Sequence, residues 1–286
     1  MDAPDEVRAV RLGGIDTAVH RWGDPDGRPV VMLHSLGLDG ASFGPVAAAL
    51  TRQAPMLVLA PDLRGHGRSR AAPEQVEVRG MAADVVEFGQ SLGIPALLVG
   101  QSMGSVVARF AAVAAPTTWA GVTLAAGPAA AVPAVAERGG PALRSGMSAV
   151  LDETLARWFT PRALAADGPE VRYARERVLA MDPAAWAAAW RLLGAFPDPP
   201  PLPTGLPGRC LAGDADLSST PDMVRALRRS AGVTPEVVVL PEAPHQLFLE
   251  RPDACAQALL DGWESPASRS DRDIRSTRIE SVRPYR

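Results

Sequence analysis

A serine between two glycines is the first feature of this sequence that could do chemistry. Ser102 lies in the motif GQSMG at residues 100–104, directly after the apolar run ALLVG and at the start of a helical stretch, Ser102–Ala114. A serine on a sharp turn between a strand and a helix can project its hydroxyl as a nucleophile, and flanking glycines make room for such a turn. The motif also suits a helix cap without a catalytic role, so both interpretations stay open at this point.

A serine hydroxyl needs a base to become a useful nucleophile near neutral pH. The sequence has four histidines, and three of them, His20, His34 and His66, precede the serine. Where a serine lies on this kind of turn, the acid and then the base follow it along the chain. Only His245, after the last apolar run, fits that order. We therefore expect His245 to accept the proton of Ser102.

An acid must hold the ring of the base and stabilise its charged form. Asp214 and Asp216 follow the apolar run at residues 209–212. This position is the carboxyl end of a strand, where α/β sheets place their ligands and catalytic groups. We choose Asp216 as the acid and interpret Asp214 as a loop residue that shapes the turn. The three side chains together predict acyl transfer, in which the serine oxygen attacks a carbonyl.

Short apolar runs alternate with longer amphipathic stretches along most of the chain. This alternation predicts an α/β fold with a mostly parallel, eight-stranded sheet flanked by helices. The first two runs, joined around Gly13 and Gly14, predict an antiparallel hairpin. The predicted strands cover residues 7–12, 17–22, 30–34, 56–61, 96–100, 121–126, 210–212 and 237–240.

The alternation breaks after Gly127. Residues 128–205 show helical patterns only, and proline-rich connections bound them on both sides. We predict a helical lid at 128–205, inserted into a core formed by residues 1–127 and 206–264. Trp158, Trp186 and Trp190 are its candidate substrate-binding residues, and the last two would share one helix face. The alternative is that these tryptophans only attach the lid to the core.

Composition sets the broad class of the protein. The chain has 286 residues, of which 47% are hydrophobic and 21% charged, and its net charge is −3. These values are typical of a soluble globular protein and do not favour nucleic acid or an anionic membrane as partner. We see no signal peptide and no apolar run long enough to span a bilayer, and the two distant cysteines suit a reducing compartment. We expect a cytoplasmic protein with a small-molecule substrate, no metal and no organic cofactor.

The last stretch, residues 265–286, has few large apolar residues and many Arg, Asp and Ser residues. Such a composition predicts a disordered tail. The alternative is an arm that packs on a partner subunit, as in a homodimer. Its contacts would then come from Ile274, Ile279, Val282 and Tyr285.

Four blocks taken together carry a resemblance to a known family. They are HSLG at 34–37, DLRGHGRS at 62–69, GQSMG at 100–104, and the pair Gly213–Asp216 with Pro244-His245. Over about Val7–Glu264 the chain resembles the α/β-hydrolase fold superfamily, and in particular small esterases and the enol-lactonases of aromatic catabolism. The resemblance implies that Asp216, three residues after a strand-ending glycine, is the acid. It also implies an oxyanion hole formed by the amides of Met103 and Leu36.

The resemblance also sorts the remaining polar residues. It implies that residues 62–69 form a structural turn and that the ring of His34 bonds to backbone near the oxyanion loop. The chain departs from the family at Ser35 and Ser105, where glycine is usual, and Ser105 predicts looser packing of the helix on its strand.

The first prediction for the function is hydrolysis of an ester or a lactone. Carbon–carbon bond hydrolases, acyltransferases and biosynthetic eliminases or cyclases are alternatives, because they use the same fold. A non-catalytic binding protein is a further alternative, but it would not need Ser102, Asp216 and His245 together.

Overall fold

The computed structural model describes residues 2–263, and its strands form one sheet of eight in the order β1-β2-β4-β3-β5-β6-β7-β8. β2 is antiparallel to β1 and to β4, and every other neighbouring pair is parallel. The mostly parallel sheet and its initial hairpin are therefore confirmed. The strands are β1 Glu6–Leu12, β2 Ile15–Gly23, β3 Arg28–Leu33, β4 Met56–Pro61, β5 Ala96–Gln101, β6 Trp119–Ala125, β7 Gly208–Gly213 and β8 Val238–Leu240.

The central strands are apolar along their whole length because both faces of the sheet are covered. In β3, Val31 and Leu33 belong to the core on one face, while Val30 and Met32 belong to the core on the other. All four side chains are fully buried. A strand alternates its side chains between the two faces, so a doubly covered strand must be apolar at every position.

Helices cover the two faces of the sheet. Helices α1 and α11 contribute to one core, and helices α2, α3 and α9 contribute to the other. Helix α3 begins directly after Ser102, so its first turn lies at the serine. The helices outside the stretch between β6 and β7 are α1 Gly44–Gln53, α2 Val78–Ser91, α3 Met103–Ala114, α9 Pro221–Ala231, the short α10 Leu247–Glu250 and α11 Pro252–Trp263.

Between β6 and β7 the chain forms helices, and within this fully described stretch there is no strand. We call residues 128–205 the helical insertion. Several of its helices begin with proline, which suits a first helical position because the missing N–H has no partner there. Its elements are a 3-10 helix at Pro133–Gly139, α4 Gly140–Ser145, α5 Ser148–Trp158, α6 Pro161–Ala166, α7 Pro169–Ala180 and α8 Pro183–Ala195.

Polar contacts attach the helical insertion to the sheet domain. The hydroxyl of Tyr173 on α7 donates to Asp39 Oδ1 at 2.5 Å. Burial and the nearby Asp39 charge raise the pKa of Tyr173 well above its usual value, so the phenol keeps the proton that it donates. On the other side, the amide of Thr160 donates to Glu250 Oε2 at 3.1 Å. These contacts fix the insertion near the carboxyl ends of the strands.

Arg109 on α3 holds the chain where it leaves the insertion. Its buried guanidinium donates to the carbonyl oxygens of Pro199 at 2.8 Å, Pro200 at 3.0 Å and Ser230 at 2.6 Å. Burial lowers the pKa of Arg109 to about 10, which still leaves it charged at neutral pH. The proline-rich segment has no regular structure of its own at these residues, so Arg109 supplies the donors that fix it.

Three further expectations concern the chain as a whole. No helix within residues 2–263 combines the length and the apolar character needed to cross a membrane. Cys210 and Cys255 are both buried free thiols. The predicted tail at 265–286 lies outside the described residues.

Candidate active site

Ser102 occupies the turn between β5 and α3 in a backbone conformation that residues other than glycine rarely adopt. Its φ is 53° and its ψ is −117°. A Cβ atom at Gly100 would lie 2.2 Å from the carbonyl oxygen of Gly104, and one at Gly104 would lie 2.1 Å from that of Leu33. Only glycine therefore fits on either side of the serine in this turn.

The structure brings Ser102, His245 and Asp216 together into one chain of hydrogen bonds. His245 Nε2 lies 3.0 Å from Ser102 Oγ, and His245 Nδ1 lies 2.9 Å from Asp216 Oδ2. All three side chains are buried, whereas Asp214 is exposed. The arrangement allows the imidazole to take a proton from the serine while the carboxylate holds the opposite ring nitrogen.

The carboxylate of Asp216 is oriented by the loop that follows it. The amides of Ser218 and Ser219 donate to Asp216 Oδ1 at 2.7 and 2.8 Å. Aspartate commonly accepts hydrogen bonds from amides two residues further on, and the sequence Asp-Leu-Ser-Ser is typical of such turns. We missed this signal in the sequence, although it separates Asp216 from Asp214.

A buried amide network supports the loop that carries His245, and sequence reasoning missed it. Gln101 Nε2 donates to the carbonyl oxygen of His245 at 2.7 Å and to Gln246 Oε1 at 3.0 Å. Gln246 Nε2 in turn donates to Ser35 Oγ at 2.9 Å. Ser35 thus has a specific partner where the family usually has glycine. The signal was the glutamine beside each of the two predicted residues, Ser102 and His245.

Two backbone amides near Ser102 are free to donate. Leu36 lines the same cavity as the serine, and Met103 is the first residue of α3. Neither amide donates a hydrogen bond to any residue within 2–263. The N-terminus of a helix carries positive potential, which favours negative charge beside Met103. The pair has the chemistry of an oxyanion hole, and its role stays a prediction.

His34 holds the loop that contains Leu36. Its Nε2 accepts the amide of Leu63 at 2.9 Å, and its Nδ1 donates to the carbonyl oxygen of Ser35 at 2.9 Å. Burial lowers the pKa of His34, so the ring stays neutral and can serve as one donor and one acceptor.

Residues 62–69 form a turn that begins at a buried carboxylate, Asp62. Asp62 accepts hydrogen bonds from His20 Nε2 at 2.9 Å and from the amides of Gly40 and Arg68 at 2.8 Å each. Although burial opposes it, the contact with His20 lowers the pKa of Asp62. His20, Asp62 and Asp39 lie within 4.8 Å of one another, a spacing that metal ligands also have. Because Asp62 already accepts three hydrogen bonds, we describe the group as a hydrogen-bonded cluster.

The looser packing predicted from Ser105 is wrong. Ser105 is buried, and its hydroxyl donates to the carbonyl oxygen of Ser102 at 2.7 Å. A Cβ atom at Gly127, just after β6, would lie 1.7 Å from Ser105 Oγ. Gly127 thus leaves room for the Ser105 hydroxyl, and the helix stays close to the sheet.

Gly127→Ala should therefore lower the free energy of unfolding by about 1–3 kcal/mol, the usual cost of overpacking a core. Adding Ser105→Gly should restore most of that loss, because it removes the atom that the new methyl group meets. Thermal unfolding of the two single variants and the double variant measures this coupling. Additive losses in the double variant would contradict the proposed contact.

The candidate triad opens into a cavity of about 220 Å³. Trp158 and Trp190, two of the three candidate substrate-binding residues, line it. Trp186 does not line it: its ring packs edge-on against Trp190, with centroids 5.8 Å apart, and a Cβ atom at Gly37 would lie 2.7 Å from it. The other lining residues are Ser35, Leu36, Pro128, Val132, Val135, Arg138, Leu193, Ser218, Ser219 and Met223.

Comparison with known proteins finds similar folds and sequences. An esterase from Thermogutta terrifontis is 26% identical, with a TM-score of 0.78 over 90% of this chain and 97% of the other. The enol-lactonase from Burkholderia xenovorans LB400 is 27% identical, with a TM-score of 0.80 over 89% of this chain and 99% of the other. A magnesium-chelatase 30 kDa subunit from Rhodobacter capsulatus is 37% identical over 100 residues, which is 34% of each chain.

The match to the family model extends from β3 to α11 and includes the helical insertion. Residues 30–258 fit the model described as the alpha/beta hydrolase family. This range contains the nucleophile turn, the acid loop and the histidine loop, and it lies within the region of the resemblance read from the motifs. The chain belongs to the alpha/beta hydrolase family.

Proposed function

We propose that the protein hydrolyses an ester or a lactone of a small, partly apolar molecule through an acyl-enzyme. The observation that carries this proposal is the hydrogen-bond chain from Ser102 Oγ through His245 to Asp216, buried beside a cavity of substrate size. The similarity to an esterase and to an enol-lactonase, each at more than a quarter identity, supports the same reaction class.

The reaction follows from the contacts of the three side chains. His245 Nε2 removes the proton from Ser102 Oγ as that oxygen attacks the carbonyl carbon, and Asp216 stabilises the imidazolium that forms. His245 then gives the proton to the leaving oxygen, which breaks the ester bond and leaves an acyl group on the serine. Water, activated by the same histidine, attacks the acyl group and releases the acid.

The tetrahedral intermediate carries a negative charge on the former carbonyl oxygen. The amides of Leu36 and Met103, which donate to no group within residues 2–263, are our candidates to bind it, since donors fixed in advance stabilise such charge without rearranging. The helical insertion acts as a lid in this proposal. Its apolar residues exclude water from the cavity, which strengthens those hydrogen bonds.

Hydrolysis assays with short-chain para-nitrophenyl esters and with simple lactones test the proposal. We expect turnover of at least one of these classes by the purified protein, and none by Ser102→Ala. If the wild-type protein turned over no ester and no lactone while remaining folded, the proposed reaction would be wrong.

The two tryptophans on α8 should respond differently to substitution. Trp190→Ala should raise KM for a hexanoyl ester about ten-fold relative to an acetyl ester, because Trp190 lines the cavity and a longer chain loses more apolar contact. Trp186→Ala should mainly lower stability, by about 3–5 kcal/mol, because its ring is buried behind the cavity wall. Steady-state kinetics and thermal unfolding of both variants measure the difference. The same change in chain-length preference in Trp186→Ala as in Trp190→Ala would contradict the prediction.

A further inference from the structure

The cavity at Ser102 has one charged side chain on an otherwise apolar and hydroxyl-bearing wall. Apart from the candidate base His245, its lining consists of apolar residues, serines and Arg138. No aspartate or glutamate is among the lining residues. Among the described residues that line the cavity, Arg138 therefore carries the one permanent charge.

Arg138 lies near the end of the 3-10 helix Pro133–Gly139 and is half-buried. Its guanidinium carbon lies 5.2 Å from the centre of the Trp190 ring, which fixes the side chain by a cation–π contact. Within residues 2–263 it has no carboxylate partner and no hydrogen-bond acceptor. A guanidinium has five N–H donors, and the contact with the ring satisfies none of them.

A second arginine lies close to Arg138. Arg157 lies on the same tryptophan ring, 5.8 Å from its centre, and forms an ion pair with Glu153. Burial and the nearby Arg138 lower the pKa of Arg157, as expected for two cations held close together. Arg157 already has a carboxylate partner in Glu153, whereas Arg138 has none within residues 2–263.

Arginines elsewhere in the helical insertion provide a comparison. Arg175 pairs with Asp167 at 2.8 Å, and Arg177 pairs with Asp39 at 3.4 Å. Those side chains stabilise the insertion itself. Arg138 instead combines a fixed position, unpaired donors and a place on the wall of the cavity that contains Ser102.

We infer that Arg138 binds an anionic group of the substrate, and that the substrate is a carboxylate-bearing ester or lactone. This inference rests on the proposed function, because it assigns the substrate class of the same site. A guanidinium binds a carboxylate through two parallel N–H···O bonds, which gives orientation as well as affinity. Bound in this way, the anion would orient the scissile carbonyl within the cavity of about 220 Å³.

The test compares two ligands of nearly the same shape. One is the monomethyl ester of adipic acid, and the other is the neutral methyl ester whose acyl chain ends in an isopropyl group instead of the carboxylate. Calorimetry with the Ser102→Ala protein gives a Kd for each without turnover. We expect the anionic ester to bind at least about ten-fold more tightly, as is usual for a hydrogen-bonded ion pair.

Substitutions assign that preference to one side chain. Arg138→Gln should bring the ratio of the two Kd values close to one, and Arg138→Lys should keep part of it because the charge remains. Arg144→Gln is the matched control: Arg144 is exposed on α4 in the same insertion and does not line the cavity. It removes the same charge, so its ratio should stay that of the parent protein.

The outcomes separate this inference from the proposed function. Equal affinity for the two esters, or a preference that survives Arg138→Gln, would overturn the role of Arg138 even if the wild-type protein hydrolyses both. An anion preference that Arg138→Gln abolishes, in a protein that hydrolyses neither ester nor any lactone, would support the anion site and overturn the proposed reaction.

Discussion

Ser102→Ala should lower kcat for ester hydrolysis by about five to six orders of magnitude. Loss of the nucleophile removes the acyl-enzyme route altogether, and what remains comes from the oxyanion donors and from binding. The melting temperature should change little, because the substitution removes a single oxygen from a side chain whose main role in the proposal is chemical. Kinetics on the best ester, together with thermal unfolding, measure both quantities.

A matched control guards against a general loss of activity. Ser218→Ala removes a hydroxyl from the wall of the same cavity while keeping the amide that donates to Asp216. Its kcat should stay within about an order of magnitude of the wild-type value, since only its backbone has an assigned role here. A Ser102→Ala protein with near wild-type turnover would show that another group is the nucleophile.

Asp216→Asn should lower kcat by about four orders of magnitude, the scale seen when an asparagine holds a catalytic histidine in the wrong tautomer. The amides of Ser218 and Ser219 would still bind the side-chain oxygen, as they now bind Oδ1. The new NH₂ group would then point at His245 Nδ1, which would have to accept. The proton of the ring would move to Nε2, where it blocks proton transfer from Ser102.

Asp214→Asn is the control for that substitution. Asp214 is two residues away on the same loop, but it is exposed, whereas Asp216 is buried against the imidazole. We expect Asp214→Asn to change kcat by less than about three-fold. A larger loss at Asp214 than at Asp216, measured on the same ester, would move the acid to Asp214.

Much of the fold could be predicted because the signals are local. Runs such as Met56–Pro61 are apolar at every position, and this pattern arises directly from burial on both faces of a parallel sheet. The motif around Ser102 could also be recognised in the sequence. Both of its glycines are required, because a Cβ atom at either position would lie less than 2.5 Å from a carbonyl oxygen. His245 followed from the order of the chain, because the other three histidines precede the serine.

The cavity could not be predicted in the same way because its wall is assembled from distant segments. Trp186 and Trp190 were predicted to share a helix face, but the ring of Trp186 packs near Gly37 whereas that of Trp190 lines the cavity. Their spacing in the sequence does not distinguish these two positions. Arg138 lies in a short 3-10 helix in a stretch rich in alanine and proline, without a pattern to mark it. The contact between Ser105 and Gly127 likewise becomes visible only when α3 is placed on the sheet.

Covalent labelling tests the central claim most directly. The purified full-length protein would be treated with a small fluorophosphonate, digested and analysed by mass spectrometry, with His245→Ala and Ser102→Ala proteins treated alongside. We expect one phosphonate per chain on Ser102 in the wild-type protein, much slower labelling of His245→Ala, and none of Ser102→Ala. Labelling at a residue other than Ser102, or equal rates with and without His245, would contradict a histidine-activated Ser102 nucleophile.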